Sequence, residues 1–210
     1  MDFHPIGVPG SVETPTAPLW DDRDHGHESN PPLIDSLPFR SMESIFRRHA
    51  GPAFDRLPEV IRRAHEVPLR ARGEADVRWG TRPGARLAAR ASGLPAEGSC
   101  IPLELELSWD GPEVVWDRRF GGFHLRTVQG LRGRFLYERS GPATFHFVLE
   151  ASAERLVYRT VRMRLFGIPV PRTAVTAVIE PLGEGWRARV VVDAPVLGRI
   201  CEYEARMGFG

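Results

Sequence analysis

The sequence predicts a mostly β protein, an antiparallel β-barrel or strongly curved sheet of about ten strands with helices on its N-terminal side. Three observations predict it. From about residue 101 to residue 206, apolar and polar residues alternate in one segment after another. Tight turns rich in Gly and Pro separate these segments. Hydrophobic residues make up 42% of the 210 residues, enough for one domain with a sizeable core.

The N-terminal part of the chain differs from the rest in composition. Residues 1–37 contain six prolines and a run of charged and polar residues around His25 and His27. Prolines interrupt helices, and so polar a segment buries little apolar surface. We therefore expect residues 1–37 to be a disordered, Pro-rich tail and residues 38–210 to be a single helix-plus-β-barrel domain.

Helical spacing precedes the strands. Ile45 and Phe46 follow Met42 at the i+3 and i+4 positions, which predicts a first short helix. A second helix is expected over residues 57–65, with His65 in its last turn as a helix-end residue. Pro83 opens a third short helix after the first strand.

Alternation with a period of two predicts the strands. They are expected at residues 71–79, 101–109, 113–120, 123–129, 131–139, 143–150, 155–166, 173–180, 186–193 and 199–207. Tyr137 is expected on the same face as Phe135. In the strand at 155–166, Tyr158 shares a face with Arg162 and Arg164, and the simple interpretation places these arginines in solvent.

Closure of such a sheet would pair every strand edge, which removes the aggregation hazard of free edges. A lipocalin-like barrel is therefore the first choice of fold. A helix-grip fold is the alternative, although no long apolar helix follows the last strand.

One strand carries a chemical oddity. Trp116, Arg118 and Phe120 share a face, so that an arginine stands among aromatic residues. A bare guanidinium on an interior face is costly and needs a partner. The partner can be a carboxylate, with Glu104, Glu180 or Glu202 as candidates. Backbone carbonyls or the head group of an acidic ligand are the alternatives. If the face assignment is inverted, Arg119 points inward instead.

Several segments together resemble the bacterial domain of unknown function 4166 family over about residues 40–208. The segments are Leu57-Pro58 through Ile61-Arg62-Arg63 with His65, Trp116-Asp117-Arg118-Arg119-Phe120, Leu165-Phe166-Gly167-Ile168-Pro169-Val170-Pro171, and Pro195-Val196-Leu197-Gly198 with Tyr203. The final strand of that family often ends in Tyr-x-Gly, whereas this chain has Tyr203-Glu204-Ala205. The resemblance implies no established activity. It does imply an association with oxidoreductase-like domains, to which members are sometimes fused.

Composition argues against several classes of protein. The 28 basic residues are all arginines and are balanced by 27 acidic ones, so no nucleic-acid partner is predicted. No apolar stretch is long enough for a membrane-spanning helix, and no signal peptide is evident at the first residues. The two cysteines are expected to be reduced and buried. We therefore expect a cytoplasmic protein with no metal and no cofactor, in an oligomeric state that the sequence does not define.

The first functional hypothesis is the binding of a small apolar, amphipathic or acidic ligand, including lipids, in a barrel cavity. Trp116, Phe120, Tyr137 and Tyr203 would form the walls and Arg118 the anchor. The sequence contains no recognisable catalytic constellation. An enzyme of isomerase, cyclase or decarboxylase type, using Arg118 with a nearby acid or His, is one alternative. An interaction module that partners a separate oxidoreductase is another.

Overall fold

The computed structural model describes residues 44–170 and 173–210, and these residues form a closed antiparallel barrel with short helices. The helices are α1 (Ile45–Ala50), a 3₁₀ helix (Gly51–Arg56), α2 (Glu59–Arg63) and α3 (Pro83–Ala91). The strands are β1 (Leu69–Trp79), β2 (Gly98–Asp110), β3 (Glu113–Phe120), β4 (Phe123–Arg132), β5 (Phe135–Ser140), β6 (Ala143–Ala151), β7 (Leu156–Leu165), β8 (Ile168–Val170), β9 (Ala174–Leu182), β10 (Gly185–Ala194) and β11 (Gly198–Phe209).

The strands follow one another around the barrel in nearly sequential order. The sheet order is β6-β5-β4-β3-β2-β1-β11-β10-β9-β7-β8, and β6 also pairs with β7 along its whole length. That pairing joins the two ends of the sheet, while β8 only extends β7 as a short hairpin. The predicted antiparallel barrel of ten strands is thereby confirmed. The helix-grip alternative is wrong, because the sheet closes on itself.

The two ends of the barrel differ. The first helices cover one end, which we call the closed end: the Arg63 guanidinium lies 3.9 Å from the centre of the Phe209 ring, and His49 Nε2 accepts a hydrogen bond of 3.2 Å from the Leu149 amide. Phe46 of α1 and Ile61 of α2 are fully buried. The other end, which we call the mouth, carries α3 and the turns that follow β3, β5, β7 and β10.

Strands β1 and β11 approach each other so closely that one position requires a glycine. Gly73 pairs with Met207, and a Cβ atom on Gly73 would collide with the carbonyl of Arg206. A residue without a side chain lets the two backbones approach closely, and such positions often mark sharp bends in barrel strands. Gly73 thus permits the curvature that the closed barrel needs.

The turn between β4 and β5 lies where the sequence predicted the start of a strand. Gly133 has a φ of +60°, a left-handed value that glycine adopts without strain, and β4 runs on to Arg132. Predicted strands at 123–129 and 131–139 had placed the turn at Gly130. This shift changes which residues of β5 face the barrel interior, because neighbouring residues in a strand point to opposite faces.

A bulge in β7 also departs from the predicted alternation. His146 pairs with Arg162, whereas the next residue, Phe147, pairs with Thr160, so that Val161 is an extra residue on β7. A bulge of one residue inverts the alternation beyond it. Tyr158 and Met163 therefore both face the interior, and the prediction that Tyr158 shares the solvent face of Arg162 is wrong.

Other expectations meet the structure only in part. Both cysteines are free, but Cys100 is exposed and only Cys201 is buried. None of the helices in residues 44–170 and 173–210 is long and apolar enough to cross a bilayer. The predicted disordered tail at 1–37, the beginning of the domain at 38–43 and Pro171 lie outside the described residues.

Candidate functional site

The barrel encloses a cavity of about 530 Å³. Its walls are mostly apolar side chains from the inward faces of the strands, among them Leu103, Phe147 and Ile179. Near the mouth, Ser92 and Pro142 line it. Both the volume and the apolar lining with a few polar groups are typical of small-molecule sites.

Arg118 lies inside the barrel and pairs with Glu138. Arg118 Nη1 is 3.8 Å from Glu138 Oε1 and donates a hydrogen bond of 3.1 Å to Thr127 Oγ1. Gln129 Nε2 donates a hydrogen bond of 2.7 Å to Glu138 Oε2. The two charged side chains are only 14% and 17% exposed. They are therefore largely desolvated, and each compensates the charge of the other.

The carboxylate partner is none of the three that the sequence suggested. Glu104, Glu180 and Glu202 form ion pairs with Arg72, Arg187 and Arg189, all of them partly or largely exposed to solvent. Glu138 was missed because the misplaced β4–β5 turn put it on the outer face. Recognising the left-handed turn at Gly133 would have placed Leu136, Glu138 and Ser140 inside.

Three of the predicted aromatic wall residues surround this pair. The Arg118 guanidinium lies 4.7 Å from the centre of the Trp116 ring, a cation–π contact. Phe120 and Tyr203 pack edge to face with ring centres 5.6 Å apart. All three residues line the cavity together with Arg118. The alternation in β3 predicted this inward face correctly.

Tyr137, the remaining predicted wall residue, lies on the outer face of the barrel. Its ring covers Gly130 on the neighbouring strand, and its hydroxyl donates a hydrogen bond to Glu113. Arg139 pairs with the same carboxylate at 2.7 Å. Tyr137 does not line the described cavity wall, whereas the next residue, Glu138, does. Both placements follow from the position of the β4–β5 turn at Gly133.

His65 closes the cavity at the end covered by α2. The sequence predicted His65 in the last turn of this helix, but α2 ends at Arg63, and His65 lies just beyond it and is buried. Its ring packs against Phe46, Trp116 and Tyr158, with centres 4.9, 5.9 and 6.1 Å away. We call His65, Trp116 and Tyr158 the floor cluster. The sequence did not predict that His65 and Tyr158 line the cavity. His65 lies in a loop, where no strand alternation applies, and Tyr158 precedes the bulge in β7, which shifts the alternation.

The His65 ring is neutral and has a defined tautomer. Burial lowers its pKa to about 4, although the hydrogen bond to Ile61 opposes this. Because a carbonyl oxygen only accepts, the 2.8 Å contact between His65 Nδ1 and the Ile61 oxygen places the proton on Nδ1. Nε2 is then a bare acceptor.

Four polar atoms in the cavity wall lack a hydrogen-bond partner among the described residues. They are His65 Nε2, Trp116 Nε1, Gln129 Oε1 and Tyr158 Oη. Each such buried atom costs about 1–3 kcal/mol relative to a paired one. All four atoms have almost no solvent-accessible area.

The described residues contain no group of three or more His, Cys, Asp and Glu side chains that could hold a metal ion. What the cavity offers chemically is an apolar volume, one ion pair with unused hydrogen-bonding capacity, and neutral aromatic hydroxyl and imidazole groups. Such an arrangement can hold and orient a small organic molecule.

Fold and site together define a closed β-barrel of ten strands with an internal, mostly apolar cavity. The chain belongs to the family described as domain of unknown function (DUF4166), whose model matches residues 57–207. This confirms the resemblance noted from the sequence segments. No curated protein matches the chain.

The Arg118–Glu138 pair makes a prediction about stability. Replacing Arg118 by Met leaves Glu138 buried without a countercharge, so we expect the free energy of unfolding to fall by about 3 kcal/mol. Arg119→Met, a neighbouring change on the exposed outer face, should alter it by less than about 0.5 kcal/mol. The double variant Arg118→Met/Glu138→Leu should recover most of the loss. Urea unfolding at pH 7 measures all three, and equal effects of the two arginine changes would contradict the buried pair.

His65 predicts a pH dependence of stability. Between its ordinary pKa of 6.5 and its folded-state pKa of about 4, the unfolded chain binds a proton that the folded protein does not. The free energy of unfolding should therefore fall as the pH falls through this range, by up to about 1.4 kcal/mol per pH unit. This contribution should vanish in the variant His65→Phe. The contributions of His49 and His146 should be the same in wild type and in the variant.

Urea unfolding of wild type and His65→Phe at several pH values between 7 and 4 measures this difference. Identical pH profiles would contradict the buried neutral imidazole. An NMR titration of the wild-type His65 ring provides a direct check, because its resonances should not titrate above about pH 5.

Proposed function

We propose that this domain binds a small, largely apolar molecule inside the barrel. The observation that carries the proposal is a cavity of about 530 Å³ within a closed barrel, lined mostly by apolar side chains. Interiors of stable proteins are close-packed, and voids larger than a water molecule are few. A cavity this large with an apolar lining therefore favours a guest.

The position of Arg118 supports the same proposal. Burial of its guanidinium and of the Glu138 carboxylate costs several kcal/mol per ion, and an apolar pair of similar volume is often more stable. Polar atoms without partners in the floor cluster add to this cost. A barrel selected only for stability gains nothing from these groups, whereas a binding site gains polar contacts that orient its guest.

An enzyme of isomerase, cyclase or decarboxylase type is a second candidate function. This candidate requires an acid or a histidine near Arg118, and the observation that favours it is Glu138, which lies beside Arg118 in the cavity wall. Mass spectrometry of a bound compound after incubation separates the two candidates. An unchanged compound supports binding alone, and a converted one supports the enzyme. The oxidoreductase-partner hypothesis, the cytoplasmic location and the bacterial source stay predictions from the sequence.

The cavity makes a prediction about dye binding. N-phenyl-1-naphthylamine is an uncharged dye whose fluorescence increases in apolar surroundings, so the protein should bind it and enhance its emission. Ala177 lines the cavity, and Ala177→Phe places a ring in that space. We expect this change to weaken dye binding by about tenfold or more, which corresponds to roughly 1.4 kcal/mol.

Thr176→Phe is the matched control, because residues next to each other in β9 point to opposite faces. It adds the same ring outside the barrel and should leave the dissociation constant within about twofold of wild type. Fluorescence titration measures the three proteins, with thermal unfolding as the check on folding. A wild-type protein that binds no dye, or equal affinity in the two variants, would refute binding in the cavity.

A further inference from the structure

We propose that the cavity selects uncharged amphipathic molecules, such as alcohols or primary amides, and that Arg118 and Glu138 together bind their polar group. This inference rests on the proposed function and narrows it to a ligand class. It departs from the expectation that Arg118 alone anchors an acidic head group.

The charges in the described part of the cavity wall balance each other. Among the described residues that line the cavity, Arg118 and Glu138 are the only ones with side chains charged at neutral pH. Their charges are opposite and 3.8 Å apart, so the described part of the wall carries no net charge. An anionic or cationic guest would enter a low-dielectric space in which no described side chain offers a free countercharge, and its burial would be strongly unfavourable.

The remaining titratable groups of the wall do not supply a countercharge. The imidazole of His65 stays neutral because burial lowers its pKa to about 4. Burial raises the pKa of Tyr158 and of Tyr203, so both phenols remain protonated at neutral pH. None of the three compensates a guest carboxylate or ammonium group.

The Arg118–Glu138 pair has unused hydrogen-bonding capacity. A guanidinium has five N–H donors, and within the described part of the chain Arg118 uses one of them, toward Thr127. Glu138 accepts from Gln129 at Oε2, while Oε1 faces Arg118 beyond hydrogen-bonding distance. The pair thus offers donors and an acceptor side by side.

A group that both accepts and donates matches this arrangement. A hydroxyl or primary amide can accept from Arg118 and donate to Glu138 at the same time. A carboxylate has no proton to donate and would lie beside the Glu138 carboxylate, whereas an ammonium group would lie beside the Arg118 guanidinium. The aromatic rings of Trp116 and Phe120 then contact the apolar body of the guest.

Three ligands with the same ten-carbon chain test the inference: decanol, decanoate and decylammonium. Each is titrated against wild-type protein loaded with N-phenyl-1-naphthylamine at pH 7.5, below the critical micelle concentration. We expect decanol to displace the dye with an inhibition constant at least about tenfold lower than those of the two ions. Ala177→Phe controls for displacement outside the cavity.

Glu138→Gln should remove the preference of the cavity for decanol over decanoate. Without the carboxylate, the Arg118 charge is free to pair with an anion, so decanoate should gain at least about tenfold relative to decanol. Glu113→Gln removes the same charge on the outer face of β3, where Glu113 pairs with Arg139, and should leave the order of the three ligands unchanged. The wild-type ranking remains a complete test if Glu138→Gln does not fold.

The outcomes separate the two proposals. Failure of wild-type protein to bind the dye refutes binding in the cavity and, with it, the neutral-ligand inference. Dye binding together with displacement by decanoate as strong as that by decanol, or with no displacement by decanol, overturns only the inference. Preference for decanol in wild type that falls by at least about tenfold in Glu138→Gln supports it.

Discussion

Pairing of β6 with β7 is the constraint on which the rest of the structure depends. It joins the two ends of the sheet, so that each barrel strand has a neighbour on both sides. Barrel diameter increases with strand number, and eight strands already give an interior that side chains just fill or that holds one small ligand. With ten strands, inward-facing side chains leave a cavity, which the N-terminal helices cover at one end. Closure of the barrel therefore produces the interior cavity.

Burial then restricts what this interior can contain. An unpaired charge would be strongly destabilising in the apolar cavity, so Arg118 requires Glu138, and these two opposite charges balance each other in the described part of the wall. The neighbouring strand β4 supplies both groups that hold the pair, the hydroxyl of Thr127 and the amide of Gln129. In our proposal, the pairing that stabilises Arg118 also prevents it from acting as a simple anion site. One electrostatic requirement then accounts for both the stability of the pair and the proposed selectivity for uncharged ligands.

Alternation in the sequence predicted the fold and one wall of the site, but not the whole site. The inward face of β3, with Trp116 and Arg118, was predicted correctly because that strand is regular and ends at clear turn residues. The turn at Gly133 and the bulge at Val161 each shift the alternation by one residue. Because of the first shift, Tyr137 was predicted inside the barrel in place of Glu138. Because of the second, Tyr158 was predicted on the solvent face. Such shifts depend on pairing with a neighbouring strand. A single-strand pattern does not contain that information, so the carboxylate partner of Arg118 was found only in the folded barrel.

A crystal structure of the full-length protein grown with decanol tests the central claim most directly. We predict electron density for the alcohol inside the barrel, with its oxygen within about 3.2 Å of both an Arg118 nitrogen and a Glu138 carboxylate oxygen. The chain should lie along the apolar wall. A barrel interior filled by side chains, or an alcohol bound only on the outer surface, would contradict a hollow barrel that selects uncharged amphipathic molecules.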